Sequence, residues 1–115
     1  MKTKYLAASA LVVLLNQCAP ECAPQDPPAA VQSRYGVAVW DKIAHCESGG
    51  QWHHPPVTNR YGTFSGGLMI MNSAWRHFGG QQFAPLAYQA TKAQQIIVAE
   101  RIIDEVGWRA WQCKP

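Results

Sequence analysis

The stretch that decides the fold runs from residue 37 to residue 50 and reads VAVWDKIAHCESGG. Its apolar residues recur every three or four positions, the spacing that puts side chains on one face of an α-helix. Glu47 falls on the same face as Trp40, and Gly49-Gly50 then ends the helix. No Asp or Glu follows between positions 48 and 99. The sequence therefore places one carboxylate at a helix end, beside glycines and apart from other acids.

The chain length and its first residues indicate one exported domain. A chain of 115 residues has room for one core. Residues 1–15 combine a basic head with an uncharged apolar run, as a secretory signal does. The run is shorter than the roughly 20 apolar residues that span a bilayer, so we expect no transmembrane span in the mature domain. We predict a signal-peptide or lipoprotein-like leader over 1–17, a Pro/Ala-rich linker over 18–33 and one folded domain over 34–115.

Four cysteines in an exported chain indicate disulfides rather than thiol chemistry. Cys46 and Cys113 are the two within the expected domain, and we expect them to pair. Cys18 and Cys22 lie in the linker, where pairing and removal with the leader both stay open. Cys18 is also a candidate lipid anchor, although residues 15–18 match a lipoprotein box only loosely. The protein is therefore expected to be secreted or associated with the cell surface, without a structural zinc site.

The charge pattern excludes one class of partner. The net charge is +3, and the basic residues are scattered singly rather than gathered into a stripe. We therefore predict no nucleic-acid partner. A mildly basic domain is compatible with an anionic surface such as a bacterial cell wall.

The remaining elements follow from turn and capping signals. Residues 51–67 are rich in Gly, Pro, Asn and aromatic residues, which predicts a short hairpin or an irregular loop. A short helix is expected over residues 74–78. Thr91 and Gln94 form a capping-box pattern before a long apolar stripe that ends at Gly107. The predicted fold class is α+β and mainly helical.

Aromatic side chains interleaved with amides suit a groove that stacks sugar rings and bonds their polar groups. For Trp52 and Trp75, burial in the core is as favoured as exposure in a groove. Glu47, considered only as a lone acid, fits a solvated or capping role as well as it fits catalysis. Adjacent histidines without a third ligand predict no metal site, and no cofactor is expected. The candidate substrate-binding residues are Trp52, Tyr61, Phe64, Asn72 and Trp75.

Several motifs in order then identify a resemblance. Residues 40–52 read WDKIAHCESGGQW, and they are followed by Gly66-Gly67-Leu68, Trp75 and residues 107–113. This series closely resembles the catalytic domain of resuscitation-promoting factors over roughly residues 39–113. The Glu-Ser pair followed by Gly-Leu-Met is also similar to the pattern of lytic transglycosylases.

The resemblance implies a small lysozyme-like α+β domain from an actinobacterium or one of its phages, with peptidoglycan as the partner and substrate. It implies that Glu47 is the catalytic acid and that Cys46 and Cys113 form the family's disulfide. Two positions depart from the family: Met69 stands where Gln is common, and Ala74 where Thr is common. Polar substrate contacts expected at both positions are therefore missing.

The isolation of Glu47 predicts an unusual glycosidase mechanism. Most glycosidases use two carboxylates about 5 to 9.5 Å apart, and substrate-assisted enzymes are the exception. We therefore predict cleavage between N-acetylmuramic acid and N-acetylglucosamine with one acid, ending in a 1,6-anhydro sugar or, with water, a reducing end. The alternative is a non-catalytic wall-binding module or a signalling protein on the same fold. The sequence identifies no cell-wall endopeptidase partner.

Overall fold

The computed structural model describes residues 33–115. The predicted leader, nearly all of the predicted linker, and with them Cys18 and Cys22, lie outside the described residues. The predicted α+β, mainly helical class is confirmed. The described elements are the helices Val37–Ser48 (α1), Asn72–His77 (α2) and Lys92–Val106 (α3), the strands Val57–Asn59 (β1), Gly62–Ser65 (β2) and Ile70–Met71 (β3), and the 3-10 turns Gly80–Gln82, Ala87–Gln89 and Trp108–Ala110.

The three strands form one small antiparallel sheet in the order β1-β2-β3. In the β1–β2 hairpin Val57 pairs with Phe64 and Asn59 pairs with Gly62, which leaves two residues at the tip. Phe64 also pairs with Met71 of β3. The predicted hairpin is present, and β3 adds a strand that the sequence did not indicate, because two residues are too few for a period-2 pattern.

Helix α1 buries Trp40 and Ile43 completely in the core. The helix ends where its glycines predict. Gly49 has φ +69°, a left-handed conformation that residues with a side chain rarely adopt. Its N–H donates to the carbonyl oxygen of His45 at 3.0 Å. This ending fixes Glu47 in the last turn of α1.

Helix α3 begins with the predicted capping box. The N–H of Gln94 donates to the Thr91 hydroxyl at 3.2 Å, and the Gln94 side chain accepts from the Thr91 N–H at 3.0 Å. Its apolar stripe then packs into the single core cluster of the described residues, which includes Ile96, Val98, Ala99, Ile102, Leu68, Ile70 and Trp111.

A buried amide joins α3 to the turn before β3. Gln95 has no exposed surface; its Oε1 accepts from the N–H of Gly67 at 2.9 Å, and its Nε2 donates to the carbonyls of Trp52 at 2.7 Å and Ala90 at 3.1 Å. A Cβ on Gly66 would lie 2.5 Å from the Gln95 Oε1, so the close approach requires glycine. The loop after α1 and the turn into β3 are thus fixed to the same helix.

The predicted disulfide between Cys46 and Cys113 is present, with Cα atoms 6.1 Å apart and a sequence separation of 67 positions. It holds the C-terminal segment against the end of α1. Trp111, two residues before Cys113, is buried and donates its Nε1–H to the carbonyl of Leu68 at 2.8 Å. Among residues 33–115, no helix is both long and apolar enough to cross a membrane.

Candidate functional site

A cavity of about 330 Å³ opens beside Glu47. The end of α1 supplies the carboxylate, the hairpin forms one wall, and the C-terminal segment before the disulfide forms the other. The lining residues besides Glu47 are Val57, Asn59, Tyr61, Phe64, Met69, Ala110, Trp111 and Gln112.

A second cavity of about 240 Å³ adjoins the first. The two share Phe64, Met69, Ala110 and Trp111, so we treat them together as one groove. The second cavity is more apolar than the first, and its remaining lining residues are Ile70, Met71, Ala74, Phe78, Ile102 and Val106. The groove therefore has a polar end beside Glu47 and an apolar end against α2 and α3.

The Glu47 side chain is half-buried, and its Oε1 accepts a hydrogen bond from the backbone N–H of Cys113 at 3.3 Å. Because Cys113 is bonded to Cys46, the neighbour of Glu47, the donor is tied to the helix that carries the acceptor. The disulfide thus holds a hydrogen-bond donor against the carboxylate.

Glu47 is the one carboxylate among the residues that line the groove. Hydrogen bonds to Asp104 and then to Glu100 raise the pKa of Arg34 above its ordinary value. The other acids in the described part of the chain all pair away from the groove: Asp41 with Lys92, Glu100 and Asp104 with Arg34, and Glu105 with His77.

Of the predicted substrate-binding residues, Tyr61 and Phe64 line the groove with Glu47. Tyr61 is 67% exposed, which is unusual for a large aromatic side chain and suits contact with a ligand. Trp75 needs a correction: it has no exposed surface, and its Nε1–H donates to the carbonyl of Ala84 at 2.8 Å. It is a core residue, and a Cβ on Gly80 would lie 2.2 Å from its ring.

Trp52 and Asn72 also lie outside both cavity linings. Trp52 packs against the core, with Gly67 close to its ring and the Lys92 Nζ 5.2 Å from its ring centroid. Asn72 lies in the first turn of α2, and within the described residues its buried Oδ1 has no hydrogen-bond partner. Neither side chain joins Tyr61 in the groove wall.

The sequence reasoning did not assign Trp111 and Gln112 to the groove, and they form the wall opposite the hairpin. The expected pairing of Cys46 with Cys113 was the available signal, because it brings the residues before Cys113 to the neighbour of Glu47. Met69 lines both cavities and has φ +48°. Left-handed backbone at a non-glycine residue is uncommon and is concentrated at functional sites.

Ser48 and His53 both make hydrogen bonds with backbone groups. The Ser48 Oγ lies 2.8 Å from the carbonyl oxygen of Gly67 and 3.0 Å from that of Ala44, and it accepts from the N–H of Gln51 at 3.1 Å. The His53 Nδ1 lies 2.8 Å from the carbonyl oxygen of Tyr88. Within residues 33–115 there is no group of three His, Cys, Asp or Glu side chains placed to hold a metal ion.

Comparisons with known proteins assign the described domain to a family. Residues 36–114 match the family described as a transglycosylase-like domain. Resuscitation-promoting factor Rpf1 of Corynebacterium glutamicum is 50% identical over 72 residues, which cover 63% of this chain and 35% of the relative. RpfA of Mycobacterium tuberculosis is 43% identical over 72 residues, covering 63% of this chain and 17% of the relative.

RpfE of Mycobacterium tuberculosis is 39% identical over 89 residues, which cover 77% of this chain and 46% of the relative. This chain therefore spans less than half the length of each of these three relatives. The resemblance drawn from the motifs around Glu47 is confirmed for the domain.

Proposed function

The chain belongs to the transglycosylase-like domain family, and on that premise we propose that it cleaves peptidoglycan glycan strands with Glu47 as its single catalytic acid. The bond cut lies between N-acetylmuramic acid and N-acetylglucosamine. The proposal extends to a secreted or wall-associated protein, because peptidoglycan lies outside the cytoplasm.

The observation that carries the proposal is that Glu47 is the one carboxylate in the groove lining. The cavity beside Glu47, at about 330 Å³, lies in the range of about 300 to 1,000 Å³ that ligand sites occupy. Tyr61 and Phe64 supply aromatic surface for sugar rings, and Asn59 and Gln112 supply amides for hydroxyl and acetamido groups. A second acid for a two-carboxylate mechanism is not available from the described residues of this groove.

With one acid, the substrate supplies the second group. Glu47 donates its proton to the glycosidic oxygen as the bond from C1 of the muramoyl residue breaks. The carbonyl oxygen of the muramoyl acetamido group bonds to C1 and stabilises the positive charge. Glu47, now a carboxylate, accepts the proton of the 6-hydroxyl as that oxygen attacks C1 and displaces the acetamido oxygen. The product is a 1,6-anhydro sugar; if water attacks instead, the product is a reducing end.

Digestion of purified sacculi by Glu47→Gln tests the acid directly. We expect release of soluble fragments to fall at least about 100-fold, because general acid–base catalysis contributes about 10² to 10⁴. Asp41→Asn is the matched control: it also converts an acid to an amide on α1, and Asp41 is exposed and pairs with Lys92 away from the groove. Mass analysis of the fragments distinguishes anhydro ends from reducing ends. Equal release by wild type and Glu47→Gln would exclude Glu47 as the acid.

One observation favours a second candidate, a wall-binding module without turnover. Met69 and Ala74 line the groove with apolar surface where the family commonly has polar residues. Such a module would bind sacculi in a pull-down and release no fragments, and Glu47→Gln would leave binding unchanged. Fragment release that depends on Glu47 rejects this candidate.

A further inference from the structure

The tip of the hairpin carries an arginine beside a tyrosine, and the proposed mechanism gives the arginine no role. Arg60 and Tyr61 are the two residues between β1 and β2. The guanidinium of Arg60 lies over the Tyr61 ring, 4.8 Å from its centroid, and its Nη2 donates to the Tyr61 hydroxyl at 2.7 Å. The Tyr61 N–H donates to the Asn59 Oδ1 at 2.8 Å. The tip is therefore ordered by its own contacts.

This ordered tip lies at the rim of the groove. Both neighbours of Arg60 in sequence, Asn59 and Tyr61, line the cavity that contains Glu47. The cross-strand hydroxyls of Thr58 and Thr63 lie 3.0 Å apart and add to the pairing beneath the tip. Arg60 itself is not a lining residue, but its guanidinium contacts the ring and hydroxyl of Tyr61, which is one, on a two-residue turn whose strands are paired.

Among the described arginines only Arg34 pairs with carboxylates, those of Glu100 and Asp104. Arg60 has no carboxylate partner within residues 33–115, and its place between two cavity-lining residues distinguishes it from the other arginines without one. Both residues of the tip are exposed. A guanidinium fixed by an aromatic ring and a hydroxyl keeps further N–H donors free, and these match a carboxylate in fork geometry.

We propose that Arg60 is a specificity-determining residue that binds a carboxylate of the glycan strand while the neighbouring Tyr61 ring contacts the sugar. This rests on the proposed function, since it assumes that the groove takes peptidoglycan. Two sources offer the same chemistry: the lactyl carboxylate of muramic acid where the peptide is absent, and the carboxylates of the stem peptide where it is attached. Strands of N-acetylglucosamine alone lack both, so Arg60 favours peptidoglycan over a neutral glycan.

The expected size of the effect follows from the exposure of the tip. An exposed ion pair contributes little to the free energy of binding, whereas a hydrogen bond to a charged group in good geometry contributes more. For a partly ordered surface arginine we expect loss of about fivefold in affinity when the guanidinium is removed. Because the contact is exposed, the loss should shrink as salt is raised, since the screening length falls to about 3 Å at 1 M salt.

The test measures binding rather than cleavage, in a Glu47→Gln background that keeps the ligands intact. Titration calorimetry compares Arg60→Gln with the background on three tetrasaccharides: a peptide-free muramoyl strand, the same strand with stem peptides, and an N-acetylglucosamine oligomer. Arg76→Gln is the control, because Arg76 is exposed on α2 and lines neither cavity. Arg60→Lys is the conservative variant and should recover part of the affinity.

The three ligands separate the outcomes. Weaker binding of the peptide-free strand supports the lactyl carboxylate, and weaker binding of only the peptide-bearing strand supports the stem peptide. Equal losses on all three ligands, or none on any, would overturn the proposal and leave Arg60 as a support for the Tyr61 ring. Failure of the proposed function gives a different result, because sacculi would then resist wild type while the binding differences stand.

Discussion

Removing the Cys46–Cys113 disulfide should destabilise the domain severely. The bridge joins positions 67 apart, and for a loop of that length the chain-entropy relation gives about 4.4 kcal/mol at 25 °C. A domain of this size has a total stability of about 4 to 12 kcal/mol, so the loss is a third of it or more. We expect Cys46→Ser/Cys113→Ser to melt about 18 to 35 °C below wild type, since each kcal/mol shifts a small domain by about 4 to 8 °C.

Thermal unfolding followed by circular dichroism measures this shift. The matched control is Cys18→Ser/Cys22→Ser, which also replaces two cysteines with serines and leaves the bridge between α1 and the C-terminal segment. The control should have the same melting temperature as wild type. A melting temperature of the first variant within about 3 °C of the control would refute the loop-entropy reasoning.

The same variant should lose activity beyond its loss of stability. The Cys113 N–H donates to the Glu47 carboxylate, and without the bridge that donor is no longer held against α1. At a temperature where both proteins are fully folded, we expect release from sacculi to fall about tenfold, the equivalent of about 1.4 kcal/mol. Full activity of the folded double variant would show that the C-terminal segment does not position Glu47.

Two further predictions concern Gln95, which bonds the turn before β3, and Met69, which lines both cavities. Gln95→Leu removes the hydrogen bonds to Gly67, Trp52 and Ala90 and should lower the free energy of unfolding, measured by urea titration, by about 3 kcal/mol. The control Gln81→Leu, at an exposed position, should change it by less than about 0.5 kcal/mol. A loss below about 1 kcal/mol for Gln95→Leu would contradict the structural role of its hydrogen bonds. Met69→Gln places an amide at the junction of the two cavities and should raise sacculus digestion severalfold; unchanged or lower release would show that the missing polar contact is not limiting.

Local signals in the sequence were enough for the helices. The Thr91 and Gln94 capping box and the glycines after α1 each act over a few residues, so their patterns predict the structure directly. The disulfide was also predictable, because two cysteines stood in the expected domain. The choice of Glu47 came from the motif around it, which the geometry of the groove supports.

Burial of the aromatics was not predictable in the same way. Trp75 and Tyr61 both stand in Gly-rich surroundings, yet one has no exposed surface and the other is 67% exposed. The difference arises from long-range packing: Trp75 lies against Gly80 and Ala84, whereas Tyr61 stands on a two-residue hairpin tip with no layer above it. Composition and spacing do not reveal which residues, distant in sequence, will pack against a given aromatic side chain.

One side of the groove is a single uninterrupted segment, residues 57–65, while the acid belongs to a separate helix. The hairpin could therefore be exchanged for that of a relative while α1, and Glu47 with it, is kept. A series of such chimaeras would measure how much of the ligand preference of these domains depends on this one segment.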